Sequence, residues 1–351
     1  MTASEKSVWG IAKQVAKGTP NVTDNLFKYM LFTEGVASPQ NMNLPLDQEI
    51  GGGAMLRSVI KAGVTSMSQL TFIPRPEIIG TLLLGAVGKT SAPTQIPPST
   101  GTAYKHTFIQ DTDQFSAPYF TVRSAPGGMF GEQLQDMRVA ALGFNWKAAD
   151  YLRATVGLIG GLPTPSISMT SWTPQTYLDG GPQFLATLGT VEIPEATSVK
   201  CLRGSFTIGL DIPMDEQWIV GSYQPDDFAI NSRAAVVSLL LKIEAEALYK
   251  KMMYDPASGS AWLADVMKEG NIHLQFQSDQ DAESTVPTPF SLQFKGNGLS
   301  TADANIAWTI SPIGLRAGRQ VTAVVTGTFL ASPTAAEAIT VELINKKSTQ
   351  Y

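Results

Sequence analysis

Residues Gly63 to Gly88 read GVTSMSQLTFIPRPEIIGTLLLGAVG, and the break in the middle of this stretch decides the fold. Its first half, ending at Phe72, reads as a strand. Pro74-Arg75-Pro76 ends that strand. Pro76 then stands where a helix begins and Gly88 where one stops. Within Pro76–Val87 the side chains of Ile78, Leu82 and Val87 share much of one helical face. Gly80 and Gly85 lower the intrinsic helix propensity, so packing has to hold this helix in place.

Outward from this pair the chain is dominated by period-two alternation, which turns successive side chains to opposite faces of a sheet. Strands are expected at residues 44–48 and 55–72, with Gly51, Gly52 and Gly53 as a turn or bulge. A loop rich in Pro, Thr and Ser covers 89–103. Strands follow at 104–110 and 118–124, then a glycine-rich turn at 126–131. A hairpin comes next, 137–146 with 151–159. Leu142, Phe144 and Trp146 share one side of it, and Leu152, Ala154, Val156 and Leu158 do the same on the second arm. Residues 160–174 carry glycines and prolines and read as a boundary. Beyond them, strands are expected at 183–193 and 200–213. In the latter, Leu202, Phe206, Ile208, Leu210 and Ile212 face inward, while Cys201, Arg203, Ser205, Thr207 and Asp211 face out. Such clean alternation implies a sheet wet on one side.

A second helix is expected over 233–253, capped by Asn231 or Ser232. Val236, Leu240, Ile243, Ala247 and Leu248 form its stripe, and Lys250 and Lys251 complement its dipole. Strands then resume at 272–277, 290–295, 306–311, 321–329 and 339–344. Strands, one helix and more strands thus occur twice. The expected architecture is mainly β: two tandem β-sandwich or barrel units, each flanked by one α-helix. The expected boundaries are an N-terminal arm at 1–43 that orders on a neighbour, a first unit at 44–162, a linker at 163–181 and a second unit at 182–351.

Composition narrows the function. Hydrophobic residues make up 43% of the 351, enough for a large core, but charged residues only 16%, against about 25% in an average soluble protein. Two accounts fit: a surface covered by neighbours, or a β surface rich in Gly, Thr and Ser. The net charge of −5 argues against wrapping nucleic acid, which needs clustered Lys and Arg. It does not argue against a weakly acidic wall that DNA slides past. A single cysteine, Cys201, excludes an intramolecular disulfide framework. No signal-peptide pattern and no membrane-length apolar run is present. The expectation is cytosolic synthesis and no membrane anchor.

Little in the chain points to catalysis. His106 and His273 match no metal-ligand spacing. Asp211, Asp215 and Glu216 bracket a turn and read as a solvated hairpin tip. Asp226 and Asp227 read as compensation for the second helix's dipole, and 278–283 as a mobile acidic loop. No lysine follows the three glycines at 51–53 in a phosphate-loop pattern, and no nucleophile turn is found. We nominate no catalytic, cofactor-binding or metal residue and expect no enzyme. The competing class is a β-rich receptor- or carbohydrate-binding module. It would need an exposed aromatic platform, for which Trp172, Tyr177 and Trp262 are the candidates.

Several stretches resemble the tail tube proteins of long-tailed bacteriophages. Residues 63–88 resemble their strand-then-helix segment, and YKHTFIQDTDQFSAPYFTVRSAPGG the strands that follow. DMRVAALGFNWKAADYLRATVGLIG resembles the hairpin closing a first unit, and ITVELINKK a final strand. The resemblance covers about half the chain. It implies a virion structural protein without cofactors, made in the host cytoplasm and assembled with itself into stacked rings. Two units per chain imply a pseudo-hexameric trimer; one unit would need six copies. It further implies tape measure and tail terminator proteins as partners, and DNA crossing the lumen without sequence-specific binding during ejection into the host.

Overall fold

In a computed structural model, residues 7–47, 58–98, 100–111, 117–169, 172, 181–193, 197–213, 217–243, 267–268, 272–296, 306–311, 313, 321–331 and 338–351 are described. The strands, numbered in chain order, begin with β1 (Val8–Lys13), β2 (Lys28–Tyr29), β3 (Glu34–Pro45) and β4 (Val59–Phe72). After helix α1 (Pro76–Val87) come β5 (Gly88–Thr90), β6 (Thr94–Ile96), β7 (Ala103–Gln110), β8 (Phe120–Ala125), β9 (Gly131–Lys147), β10 (Arg153–Gly160) and β11 (Pro163–Ile167). The remainder are β12 (Leu185–Ile193), β13 (Thr197–Ser198), β14 (Cys201–Asp211), β15 (Ser232–Lys242), β16 (Met267–Lys268), β17 (His273–Glu283), β18 (Thr288–Gly296), β19 (Ile306–Ile310), β20 (Thr322–Phe329) and β21 (Ile339–Asn345).

The strands form two antiparallel sheets, and neither closes on itself among the described residues. The first follows the order β16-β19-β20-β15-β14-β9-β10-β4-β3, with β1, β2, β8 and β11 branching from it; the second runs β13-β12-β17-β18-β21-β7-β5, with β6 on β7. They face each other across an apolar core. Phe294 of the second sheet lies 4.8 Å from Phe144 and 4.6 Å from Phe206 of the first, ring centre to ring centre, and Trp146 lies 5.1 Å from Phe276. Leu142, Phe144, Ala154, Val156, Phe206 and Ile208 are all buried, as their spacing of two required.

Helix α1 forms where the sequence places it. Pro76 sits in its first turn, and Gly88 caps it with φ +109°, a conformation glycine adopts without strain. Ten of its twelve residues are buried, so it is a core element rather than an amphipathic cover. Its glycines are close-approach points. A Cβ on Gly80 would lie 2.1 Å from the Tyr351 ring, and one on Gly85 would lie 2.5 Å from Val139 Cγ2.

The second expected helix is not formed where the structure describes it. Residues 232–242 are strand β15, bonded on both sides, to β14 and to β20. Ala235, Val237, Leu239 and Leu241 are buried at a spacing of two. An almost continuous apolar run satisfies either period, and the two neighbouring ladders select the strand. Residues 244–253 lie outside the described set. Asp226 and Asp227 therefore compensate no helix dipole. The Asp227 carboxylate accepts from the Tyr119 hydroxyl and the Phe228 N–H and lies 3.8 Å from Arg138. The acidic stretch 278–283 is not a loop either, because β17 runs through it to Glu283.

Part of the expected N-terminal arm is built into the fold. β1 pairs with β8 and buries Trp9 and Ile11, and β3 pairs along its length with β4. Within the expected linker, β11 pairs with β9. Both sheets draw strands from both halves of the chain, and the β9–β14 pairing is their seam in the first sheet.

An open sheet face and a free edge

Cross-strand register builds the outer face of the first sheet row by row. One row is Thr71, Thr155, Gly143, Thr207, Val236 and Thr328. On one side of it runs Gln69, Gly157, Ala141, Gly209 and Ala234. On the other runs Arg153, Asn145, Ser205, Ser238, Thr326 and Thr309. Between β4 and β20 Arg153 is the one charged residue of the three rows, and Asp150 lies 3.5 Å from it; register continues the first row to Glu34 of β3 at one edge and to Lys268 of β16 at the other. The Tyr151 N–H and the nearby cations hold the Asp150 carboxyl below its usual range. Lys147 and Arg203, directly opposite each other, mark the rim at this end. The middle of the face is therefore short-chained, hydroxylic and neutral rather than acidic, with its charges at the edges and the rim. Arg138 of β9 is not on this face: it is buried beneath the sheet, over the Tyr119 ring.

The second feature is the β3 edge. Among the described residues β3 has no strand partner on its outer side. Pro39 lies within it, and proline is tolerated in a strand at such an edge. Most of β3 is exposed, and the far half of the β3–β4 hairpin presents Met42, Leu44, Val59 and Ile60 to solvent, at 45–61% exposure. A long apolar edge of this kind is a template for pairing with another chain.

The residues singled out for chemistry are dispersed. His106 is fully buried; its Nε2 lies 2.9 Å from the Lys347 carbonyl, and burial lowers its pKa. His273 is on another strand, between Glu192 at 3.1 Å and Gln293 at 3.2 Å. Burial pushes the Cys201 thiol up, away from thiolate chemistry. Glu283 accepts from the N–H groups of Thr285 and Thr102, which hold its carboxyl down at about 2. No group of three His, Cys, Asp or Glu side chains suited to a metal ion occurs among the described residues, and no described helix is long and apolar enough to cross a membrane.

Trp172 is buried, not a platform; Tyr177 and Trp262, like 51–53, Asp215 and Glu216, lie outside the described residues. Trp172 belongs to a cluster the sequence reading missed. The Arg123 guanidinium sits 3.9 Å over Phe27 and 5.2 Å from the Trp172 ring. It donates to Asp24 at 2.9 Å and to the Val22 carbonyl at 2.9 Å. This ties the N-terminal segment to β8. Partners 99 residues apart leave no local pattern; the one available signal was the apolar run from Val8 to Ala12.

Two open-edged sheets around one core, a free strand edge and a neutral face describe an assembly unit. A family model described as Phage tail tube protein matches residues 5–310. The chain belongs to the phage tail tube protein family. No curated protein matches the chain. Membership makes it a structural component of the phage tail tube, and not an enzyme. The matched span reaches from before β1 to the end of β19, so the family's signature includes strands of both sheets.

Proposed function

We propose that copies of this chain join side by side into rings whose inner wall is the open face of the first sheet. Stacked rings then form the channel through which viral DNA is ejected into the host. The neutral rows of Gly, Ala, Ser and Thr carry this reading. Between β4 and β20 these rows hold one cation, Arg153, and it lies beside Asp150, so this part of the wall displaces few counterions from phosphates and DNA moves along it without adhering. The β3 edge and its apolar hairpin supply backbone groups and surface that a neighbour completes.

The first half contributes hairpins β3–β4 and β9–β10 to this wall, and the second contributes β14–β15 and β19–β20. From the seam outward each half runs first strand, second strand, second strand, first strand, with the chain order of its hairpins exchanged. One chain thus brings two like sets of strands, which favours three copies per ring over six. The units at 44–162 and 182–351 are, in this reading, two barrel equivalents of a pseudo-hexamer. Synthesis takes place in the host cytoplasm, and tape measure and tail terminator proteins meet the tube within and at its end. Electron microscopy of the purified protein tests this. Tubes with three-fold rings and the β9–β14 seam facing the bore are expected. A monodisperse monomer at high concentration, or a bore lined by the second sheet, overturns it.

A further inference from the structure

On the flank away from β17, three lysines converge without an ion-pair partner among the described residues. Lys13 of β1, Lys28 of β2 and Lys347 after β21 line a groove of about 280 Å³, floored by Leu84 of α1 and Tyr351 and rimmed by Leu26, which is 54% exposed. Lys347 Nζ lies 3.4 Å over the Tyr351 ring, and Lys13 Nζ lies 3.4 Å from the Tyr351 carbonyl oxygen. Burial, then the like charge of Lys28, with Lys13 adding to it, pulls the Lys347 pKa down to about 8 against the opposing pull of Glu77. Glu77 also accepts from the Lys346 N–H, and Asp24 is engaged by Arg123 and Tyr29. Like charges gathered on an apolar floor are unfavourable until an anion joins them.

The molecule carries a complementary feature. The β17–β18 hairpin exposes Asp279 and Asp281, neither in an ion pair among the described residues, beside Val286 at 51% exposure. Register places this hairpin tip at the same end of the second sheet as the groove. Asp281 is opposite Pro289, and Ser291 is opposite Ile344, just before the tail that carries Lys347. Tyr351, on the groove floor, packs against His106 and Phe108 of β7, and β21 separates β7 from the β17–β18 hairpin, so the two features lie on opposite sides of β21 at one level. A contact joining opposite flanks at one level repeats around a ring.

We propose that the lysine groove of one copy receives the acidic hairpin tip of the next copy in the same ring, with Asp279 and Asp281 on the lysines and Val286 on Leu26. This rests on the tube reading above and names the lateral joint within it. The test is zero-length carbodiimide cross-linking of assembled wild-type protein mixed from unlabelled and ¹⁵N-labelled copies. Mixed-isotope cross-links between Lys13, Lys28 or Lys347 and Asp279 or Asp281 are expected. Their absence from assembled tubes, with other mixed links present, overturns the joint and leaves the tube intact; absence of any assembly sinks the tube reading itself. A charge exchange gives an independent arm. Lys28→Glu with Lys347→Glu raises the concentration needed for assembly about tenfold at low salt, and combining it with Asp279→Lys and Asp281→Lys restores assembly. Circular dichroism checks that each variant is folded, and Lys347→Met keeps the question open should the double charge reversal unfold. Relieved of repulsion, its free chain keeps or raises its melting temperature, yet it assembles less well. Undiminished assembly of folded Lys28→Glu/Lys347→Glu also overturns the joint.

Discussion

Gly85 shows how a single position sets the relation of helix to sheet. Ala is the better helix former by about 1 kcal/mol, yet its Cβ would lie 2.5 Å from Val139 and 2.8 Å from Phe120. Gly85→Ala is therefore expected to lower the melting temperature, against its helix propensity. Arg123 is the larger test. Its side chain is 4% exposed and paired with Asp24, and removing one partner of a buried pair costs about 3–5 kcal/mol. Urea unfolding of Arg123→Met should lose a stability of that order. Glu283 bears on pH. Its carboxyl is held at about 2 against an ordinary 4.5, so its contribution is complete above about pH 4.5 and is lost as pH falls towards 2. Thermal melts from pH 6 to pH 2 should show that loss in the wild type and a flatter, lower curve in Glu283→Gln. At this scale the sequence was least legible. The partners of Glu283, Arg123 and His273 are 181, 99 and 81 residues away, and only the sheet brings them together.

Elements were far more legible, because burial on one face writes a period into the chain. α1 announces itself by Pro76 and Gly88, and β9, β10, β14, β18 and β21 by their alternation. The failure at β15 has a definite cause. From Ala234 to Leu241 apolar residues occupy every position but Ser238, since the open face there is itself partly apolar at Val236 and Leu240. The alternation is thus masked, and the missing information is the identity of the neighbouring strands. Substitution can read the hidden period. Leu239→Ala should cost about 3 kcal/mol and Leu240→Ala about 1 kcal/mol or less, a contrast that adjacent residues of a strand show. β3 was legible only in part: Pro39 marks an edge, but the polar composition before it reads equally as an unstructured arm.

For the whole molecule, the proposed function sets a design problem: the β3 edge has to be available to sister copies and closed to everything else. Met42→Lys with Ile60→Lys places charges on the exposed end of the β3–β4 hairpin, away from the core. Its far-ultraviolet circular dichroism and melting temperature should match the wild type, while sedimentation velocity should show the tube population fall by about tenfold or more. A variant that assembles normally would remove this hairpin from the joint. The charge shortage visible in the composition has its counterpart in the neutral wall, but no count of residues says which surface is neutral; register alone assigns Thr207 and Ser205 to one row each.

The place of β21 has a consequence for timing. It is the last of the described strands to leave the ribosome, and it lies between β18 and β7, joining the strands made before it into one sheet. Until it emerges, a nascent chain holds two incomplete half-sheets and lacks the tail that seats Tyr351 on α1. Polymerisation before release is thereby discouraged, and a polypeptide cut short at residue 338 should be degraded rather than poison the growing tail.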